Sequence, residues 1–184
     1  MTVDALSAQE REQLLAIARA AVSAASLGIA PPSPPESLSA ALQRRTGAFV
    51  TLRKGAALRG CIGRTDAQNR LVDVVTEMGR AAAVQDPRFS PVRPQEVADL
   101  RIEISVLGPS APIDPADVEV GRDGLIVEGF GRRGLLLPEV PVDQGWEREE
   151  FIAHTCRKAG LPADAVRHGA TLLAFQTEHF EESA

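Results

Sequence analysis

The sequence predicts an α+β fold, with helices flanking a mixed or antiparallel sheet. Two observations carry this reading. Extended apolar segments come in pairs separated by only a few residues, at 47–53 and 58–64 and again at 125–128 and 135–137. Such spacing suits hairpins, and hairpin strands are antiparallel. Segments with helical apolar spacing lie among these strands without the regular strand–helix alternation of a parallel sheet.

The elements follow in order. Ser7 with Glu10 makes a capping box, the serine accepting from the third helical amide and the glutamate reaching back. Leu14, Leu15, Ile17, Ala18, Ala21 and Val22 then recur at helical spacing, and Gly28 stands where a C-terminal cap falls. Four prolines between Ala30 and Pro35 cannot continue a helix, so residues 30–35 are expected to be a stiff surface connector. Gly47–Arg53 and Leu58–Arg64 read as hairpin strands around Lys54–Ala57. Leu71, Val72, Val74, Val75, Met78, Ala82 and Ala83 make an apolar helix that must end before Pro87. Its alanines suit close approach to neighbours. Val92–Leu100 is a proline-interrupted connection.

Arg101–Leu107 alternates, with Ile102, Ile104 and Val106 on one face and Arg101, Glu103 and Ser105 on the other, as in a half-buried strand. Leu125–Glu128 and Leu135–Leu137 are short strands around a glycine-rich turn. Glu147–Ala159 is helical, with Phe151, Ile152, Thr155, Cys156 and Ala159 as its apolar stripe; Gly160 stops it and Pro162 follows. A strand near Thr171–Glu178 closes the chain.

Composition narrows the function classes. The apolar fraction is 44%, enough for a buried interior, but there is no tyrosine and one tryptophan, so aliphatic residues must do most of the packing. Net charge is −5, which argues against a nucleic-acid binder that relies on bulk charge. Cys61 and Cys156 are the two cysteines and form no CxxC pair, so neither a disulfide framework nor a cysteine-rich metal site is expected. Asp4, Glu10, Arg11 and Glu12 stand where a signal peptide needs an apolar core, and no apolar run reaches membrane-spanning length. A cytoplasmic location without membrane contact is expected.

The segment with the most chemistry in it is Leu58–Gly63, LRGCIG. In a regular strand Arg59 and Cys61 point to the same face, and a guanidinium beside a thiol favours the thiolate. Gly60 and Gly63 let a ligand or another backbone approach closely. The alternative is a strand with a small buried cysteine, its glycines marking a bulge. Arg88, in Asp86-Pro87-Arg88-Phe89, either pairs with Asp86 or reaches an anion, while Phe89 plugs the core. Glu103 orients Arg59 or moves a proton if its face turns toward Cys61, and is an ordinary strand charge if it faces water. Together Cys61 and Glu103 are the candidate catalytic residues. Arg59, Gly60, Gly63 and Arg88 are the candidate ligand-binding ones, suited to a small anionic or carbonyl-bearing molecule.

Other signals are weaker. Gly129–Gly134 fits G-x-G-x-x-G, but Leu135–Pro138 follows, where a helix is not expected to start, so the segment reads as a hairpin turn with Arg132 and Arg133 solvated at its tip. His154, His168 and His179 have no metal-ligand spacing and read as surface residues; Cys156 reads as inert core. No metal or cofactor is expected.

The chain also resembles a known family. LRGCIG is accompanied by GAFVTL at 47–52, DPRF at 86–89, ISVL at 104–107, GLLLP at 134–138, and Gly145–Trp146 leading through Phe151 to Lys158–Leu161. In this order and approximate spacing they resemble the AMMECR family over residues 7–181. The resemblance implies one AMMECR-type domain over that span, with a larger and a smaller lobe. It also implies a pathway shared with Memo-type and radical-SAM proteins. Two positions depart from the family pattern: Asp123 stands where many members carry a histidine, and Val166 where an aromatic is common. The first weighs against a cysteine–histidine mechanism.

Two functions remain in view. One is a binding component that holds a small ligand or a partner on the floor made by LRGCIG. The other is a cysteine-dependent enzyme using Cys61 as nucleophile on a small or nucleotide-derived substrate. Nucleic-acid recognition is the weakest, since the acidic chain lacks an aromatic platform.

Overall fold

The computed structural model describes residues 5–35 and 37–183. It contains two four-stranded antiparallel sheets and several helices, the α+β architecture expected from the hairpins. The described chain divides into two compact units, residues 5–107 with 178–183, and residues 108–177.

In the first unit the sheet runs β2 (Ala57–Arg64), β1 (Ala48–Lys54), β3 (Leu100–Leu107), β8 (Thr177–Glu181), with β2 at an edge. Alternation sends Val50, Leu52, Ile102, Ile104 and Val106 to one face, all with no exposed surface. Two helices bury that face, α1 (Ala8–Ser26) and α3 (Leu71–Val84). α1 opens on the expected capping box, with Ser7 accepting from Glu10 N and the Glu10 carboxylate accepting from Ser7 N. Small residues set the helix spacing: Gly79 of α3 lies against the backbone of Ala18. Ser39 caps a short helix that local patterning does not reveal, α2 (Ala40–Gln43). Val92–Leu100 is more ordered than a plain connection, because Pro94–Asp99 forms a 3-10 turn with Pro94 at its start.

In the second unit the sheet order is β4 (Ala111–Pro112), β7 (Thr171–Phe175), β5 (Gly124–Gly129), β6 (Arg132–Leu136). α5 (Arg148–Lys158) packs its Phe151 and Cys156 against Val127 and Leu172. Cys156 has no exposed surface, and burial pushes its thiol pKa up.

Three differences from the sequence reading have physical causes. The single C-terminal strand is two, β7 and β8, broken at Gln176, whose carbonyl accepts from Gly108 N at 2.8 Å. β7 and β8 then belong to different sheets, a division no local pattern encodes. As expected, no helix starts at the leucines behind the glycine motif, which lie in and just after β6, but a helix the sequence reading did not include, α4 (Glu139–Gln144), follows with Pro138 as its N-cap. Proline is tolerated there because the first helical turn leaves its amides unbonded. Phe89 does not plug the core: it is half-buried and lies outside both apolar clusters.

Gly129–Gly134 is the expected hairpin. Gly129 pairs with Arg132, and the two turn residues Phe130 and Gly131 have φ of 54° and 73°. Both signs match the turn type that twists with its strands, which favours asparagine or glycine. Phe130 is 70% exposed, so it pays for this backbone with no burial of its ring. Phe130→Asn is therefore expected to raise stability by about 0.5–1 kcal/mol, read by urea unfolding. A loss of stability in that variant would show that the ring makes a compensating contact.

Candidate functional site

The face of the first sheet turned away from α1 and α3 carries the polar residues. Its centre is Thr51, in register with Cys61 on β2 and with Glu103 on β3. Thr51 Oγ1 donates to Cys61 Sγ at 3.0 Å, and the cysteine is half-buried. Cys61 and Glu103 thus share a face with a threonine between them. Glu103 is 4% exposed, and its carboxylate accepts from Arg53 Nε at 2.7 Å and from Arg101 Nη2 at 3.2 Å. It is a buried ion-pair partner rather than a solvated strand charge. Two residues along the same face, Ser105 Oγ meets His179 Nδ1 at 3.1 Å.

Arg59 behaves differently from a residue of a regular strand. The β1–β2 register shifts between Leu52 and Arg53: Leu52 pairs with Gly60 and Arg53 with Leu58, leaving Arg59 as the extra residue of a bulge. Alternation does not carry across a bulge, so the rule that would aim Arg59 and Cys61 alike does not apply. The Arg59 guanidinium instead reaches both oxygens of Glu96, each at 3.3 Å, and the Pro91 carbonyl at 3.5 Å. Glu96, not Glu103, orients it. Arg59 Nη1 is buried without a hydrogen-bond partner. Beside it lies a pocket of about 400 Å³ lined by Lys54, Arg59, Phe89, Ser90, Arg93, Gln95 and Glu96. Three cations face one carboxylate there, with an aromatic wall. Lys54 also pairs with Asp99 at 3.4 Å.

The Asp86–Phe89 segment closes the free edge of β2. Asp86 Oδ2 accepts from Cys61 N at 2.9 Å, and Arg88 Nη2 donates to Cys61 O at 3.2 Å. The two side chains supply the donor and acceptor that a neighbouring strand would have supplied. Arg88 also grips the Asp86 carboxylate at 2.9 and 2.7 Å, and its guanidinium stands 5.5 Å from the Phe89 ring centroid. Asp86 is 4% exposed. Its hydrogen bonds to Arg88 hold the carboxyl well below the usual carboxylate range, against the opposing effect of burial. The same hydrogen bonds and the charge of Asp86 raise the pKa of Arg88.

The signature glycines are filled by the protein itself. A Cβ on Gly60 would lie 2.3 Å from the Ala82 carbonyl oxygen of α3, and one on Gly63 would lie 2.2 Å from the Phe49 ring. The close approaches expected at these positions are made here by a helix backbone and by an aromatic ring.

Of the six candidates, the structure places Cys61 and Arg88 together and puts Glu103 across Thr51 from Cys61. Arg59 lines its own pocket. Sequence reasoning missed Thr51, Lys54, Arg93 and Glu96. The signal for Glu96 was present: it closes a capping interaction by accepting from Arg93 N at 2.9 Å, with Pro94 between them.

In the second unit Asp123, 3% exposed, accepts from Glu119 N and from the Arg122 guanidinium. Burial raises its pKa, but the bonds to Arg122 and Glu119 outweigh it and the net shift is downward. The carboxylate is committed to a turn. His154 stacks on Trp146 with ring centroids 3.8 Å apart, and His168 pairs with Asp164 at 3.1 Å. Among the described residues no group of three or more His, Cys, Asp or Glu could hold a metal ion, and no helix is long and apolar enough to cross a membrane.

Comparison with known proteins gives a consistent result. The AMMECR1 family model matches residues 15–180. A protein of Methanothermobacter thermautotrophicus is 43% identical over 185 residues, covering 96% of each chain. A protein of Thermococcus gammatolerans is 47% identical over 161 residues, covering 81% of this chain and 78% of its own. The crystal structure of an uncharacterized Pyrococcus horikoshii protein superposes with a TM-score of 0.89 at 39% identity, covering 97% of this chain and 94% of that one.

Proposed function

This chain belongs to the AMMECR1 family, and from that premise we propose that it is a binding component for a small anionic ligand, held beside the Leu58–Gly63 strand. The observation that carries the reading is the pocket where Lys54, Arg59 and Arg93 converge on the wall made by Phe89. Planar guanidinium groups suit carboxylate and phosphate oxygens, and the buried unpartnered Nη1 of Arg59 leaves hydrogen-bonding capacity unused. Arg88, by contrast, spends its guanidinium on Asp86 and Cys61 and serves the site by holding the strand. The place of this binding step is a pathway shared with Memo-type and radical-SAM proteins, as the family resemblance implies.

Inorganic pyrophosphate is a suitable probe. Calorimetric titration is expected to show saturable binding that falls about tenfold or more in Arg59→Met and in Arg93→Met, with unfolding midpoints measured on the same samples. Binding that is absent, or unchanged in both variants, rejects the pocket.

A second reading, Cys61 as nucleophile, rests on the Thr51 hydroxyl aimed at its sulfur. A donor on sulfur favours negative charge there. Iodoacetamide is expected to alkylate half-buried Cys61 at least about tenfold faster than sealed Cys156, and Thr51→Val to slow Cys61 several-fold. Equal rates for the two cysteines would remove the nucleophile reading and leave the binding reading standing.

A further inference from the structure

The second unit holds a larger groove that neither signature nor family assigns. It has a volume of about 500 Å³ and lies against the first turn of α5. Its floor is aliphatic: Ile152 and Val166 are half-buried and pack onto the apolar core of that unit, and Ala153, Ala163 and Pro115 extend the surface. Pockets of a few hundred Å³ with apolar walls and few polar groups are the usual shape of small-molecule sites.

The rim carries charge of both signs, and the two signs are not equally free. Asp114 accepts from Ala116 N at 2.8 Å, and Asp164 pairs with His168 at 3.1 Å. Glu149 sits on the exposed side of the first helical turn. Like Glu149, the cations have no such engagements. Among the described residues neither the Arg148 nor the Arg167 side chain makes a hydrogen bond or ion pair, and Arg148 Nε is buried without a partner. A buried guanidinium donor left unmade is costly, more so than a neutral one. The amide end of α5 adds positive potential at the same place.

We propose that this groove binds a small amphipathic acid, with its apolar body on Ile152, Ala153 and Val166 and its single anionic head on Arg148 and Arg167. The head pairs with two guanidinium groups that carry no other ion pair, and the body removes aliphatic surface from water. Val166 sets the depth of the floor: its short branched side chain leaves room that a larger side chain there would fill. This site is lined by residues different from those of the Arg59 pocket, so the two stand or fall separately.

The probe is 1-anilinonaphthalene-8-sulfonate, an apolar body with one anionic head, compared with uncharged N-phenyl-1-naphthylamine, which has the same body. On the full chain the sulfonate is expected to bind at one site per chain, about tenfold or more tighter than the uncharged dye. Arg148→Met is expected to remove that preference while leaving the uncharged dye unaffected, and Ala153→Trp to weaken both dyes by filling the groove. Arg59→Met is expected to change neither, which separates this result from the pyrophosphate titration. Unfolding midpoints of every variant exclude dye bound to loosened protein. Equal affinity for the two dyes, tighter binding of the cationic dye auramine O, or sulfonate binding unchanged in both Arg148→Met and Ala153→Trp overturns the proposal.

Discussion

Gly60→Ala is expected to destabilise the protein by about 3 kcal/mol, the upper end of the usual cost of overpacking. The added Cβ would sit 2.3 Å from the Ala82 carbonyl oxygen. That atom is helix backbone, so no rotamer change relieves the clash; α3 must move off β2. The move would also open the contacts that α3 makes with α1, where Gly79 meets Ala18. Gly63→Ala provides the comparison. Its clash, at 2.2 Å, is with the Phe49 ring, a side chain that can turn aside, so a loss of about 1–2 kcal/mol is expected. Urea unfolding of both variants measures the difference. A Gly60→Ala protein as stable as the parent, but unable to bind pyrophosphate, would mean that the glycine serves a ligand and not the helix.

Asp86→Ala is expected to cost about 2–3 kcal/mol, because it strands the Cys61 amide on the edge of the sheet and removes the acceptor of Arg88 N. The ion pair with Arg88 adds less, since that guanidinium is 54% exposed and regains water when released. Asp86→Asn keeps one acceptor oxygen and is expected to fall between the parent and the alanine variant. The pH dependence follows from the direction of the shift. The folded-state pKa of Asp86 is depressed, so its contribution is complete above the ordinary carboxylate range and is lost as pH falls through and below that range. The parent is expected to lose stability between neutrality and strong acid, and Asp86→Ala to lose less over the same interval. Parallel acid profiles for the two proteins would show that the Asp86 clamp does not contribute. Because the clamp holds the backbone of Cys61, faster cysteine alkylation in Asp86→Ala would accompany the loss.

Much of this architecture is written locally. The capping box at Ser7, the alternation of Ile102, Ile104 and Val106, the Lys54–Ala57 hairpin and the stripe of α5 are short-range patterns, and each states its element without outside help. The turn at Gly129–Gly134 was legible because its register and turn chemistry are set within six residues. The family likewise follows from the order of short motifs, and residues 15–180 carry it.

What the sequence could not state are relations between distant segments. That Gly60 faces a helix carbonyl depends on where α3 lands. That Arg59 turns to Glu96 depends on a bulge, and one extra residue changes the face a side chain reaches. The same is true of Asp86, whose neighbours in sequence suggest a turn residue but whose oxygen holds the amide of Cys61, 25 positions away. Local propensity acts over a few residues, whereas a site is an intersection of elements that only packing brings into register. Most elements were therefore decided by local sequence, and the division of β7 from β8 and the partners of Arg59, Cys61 and Glu103 by the tertiary fold.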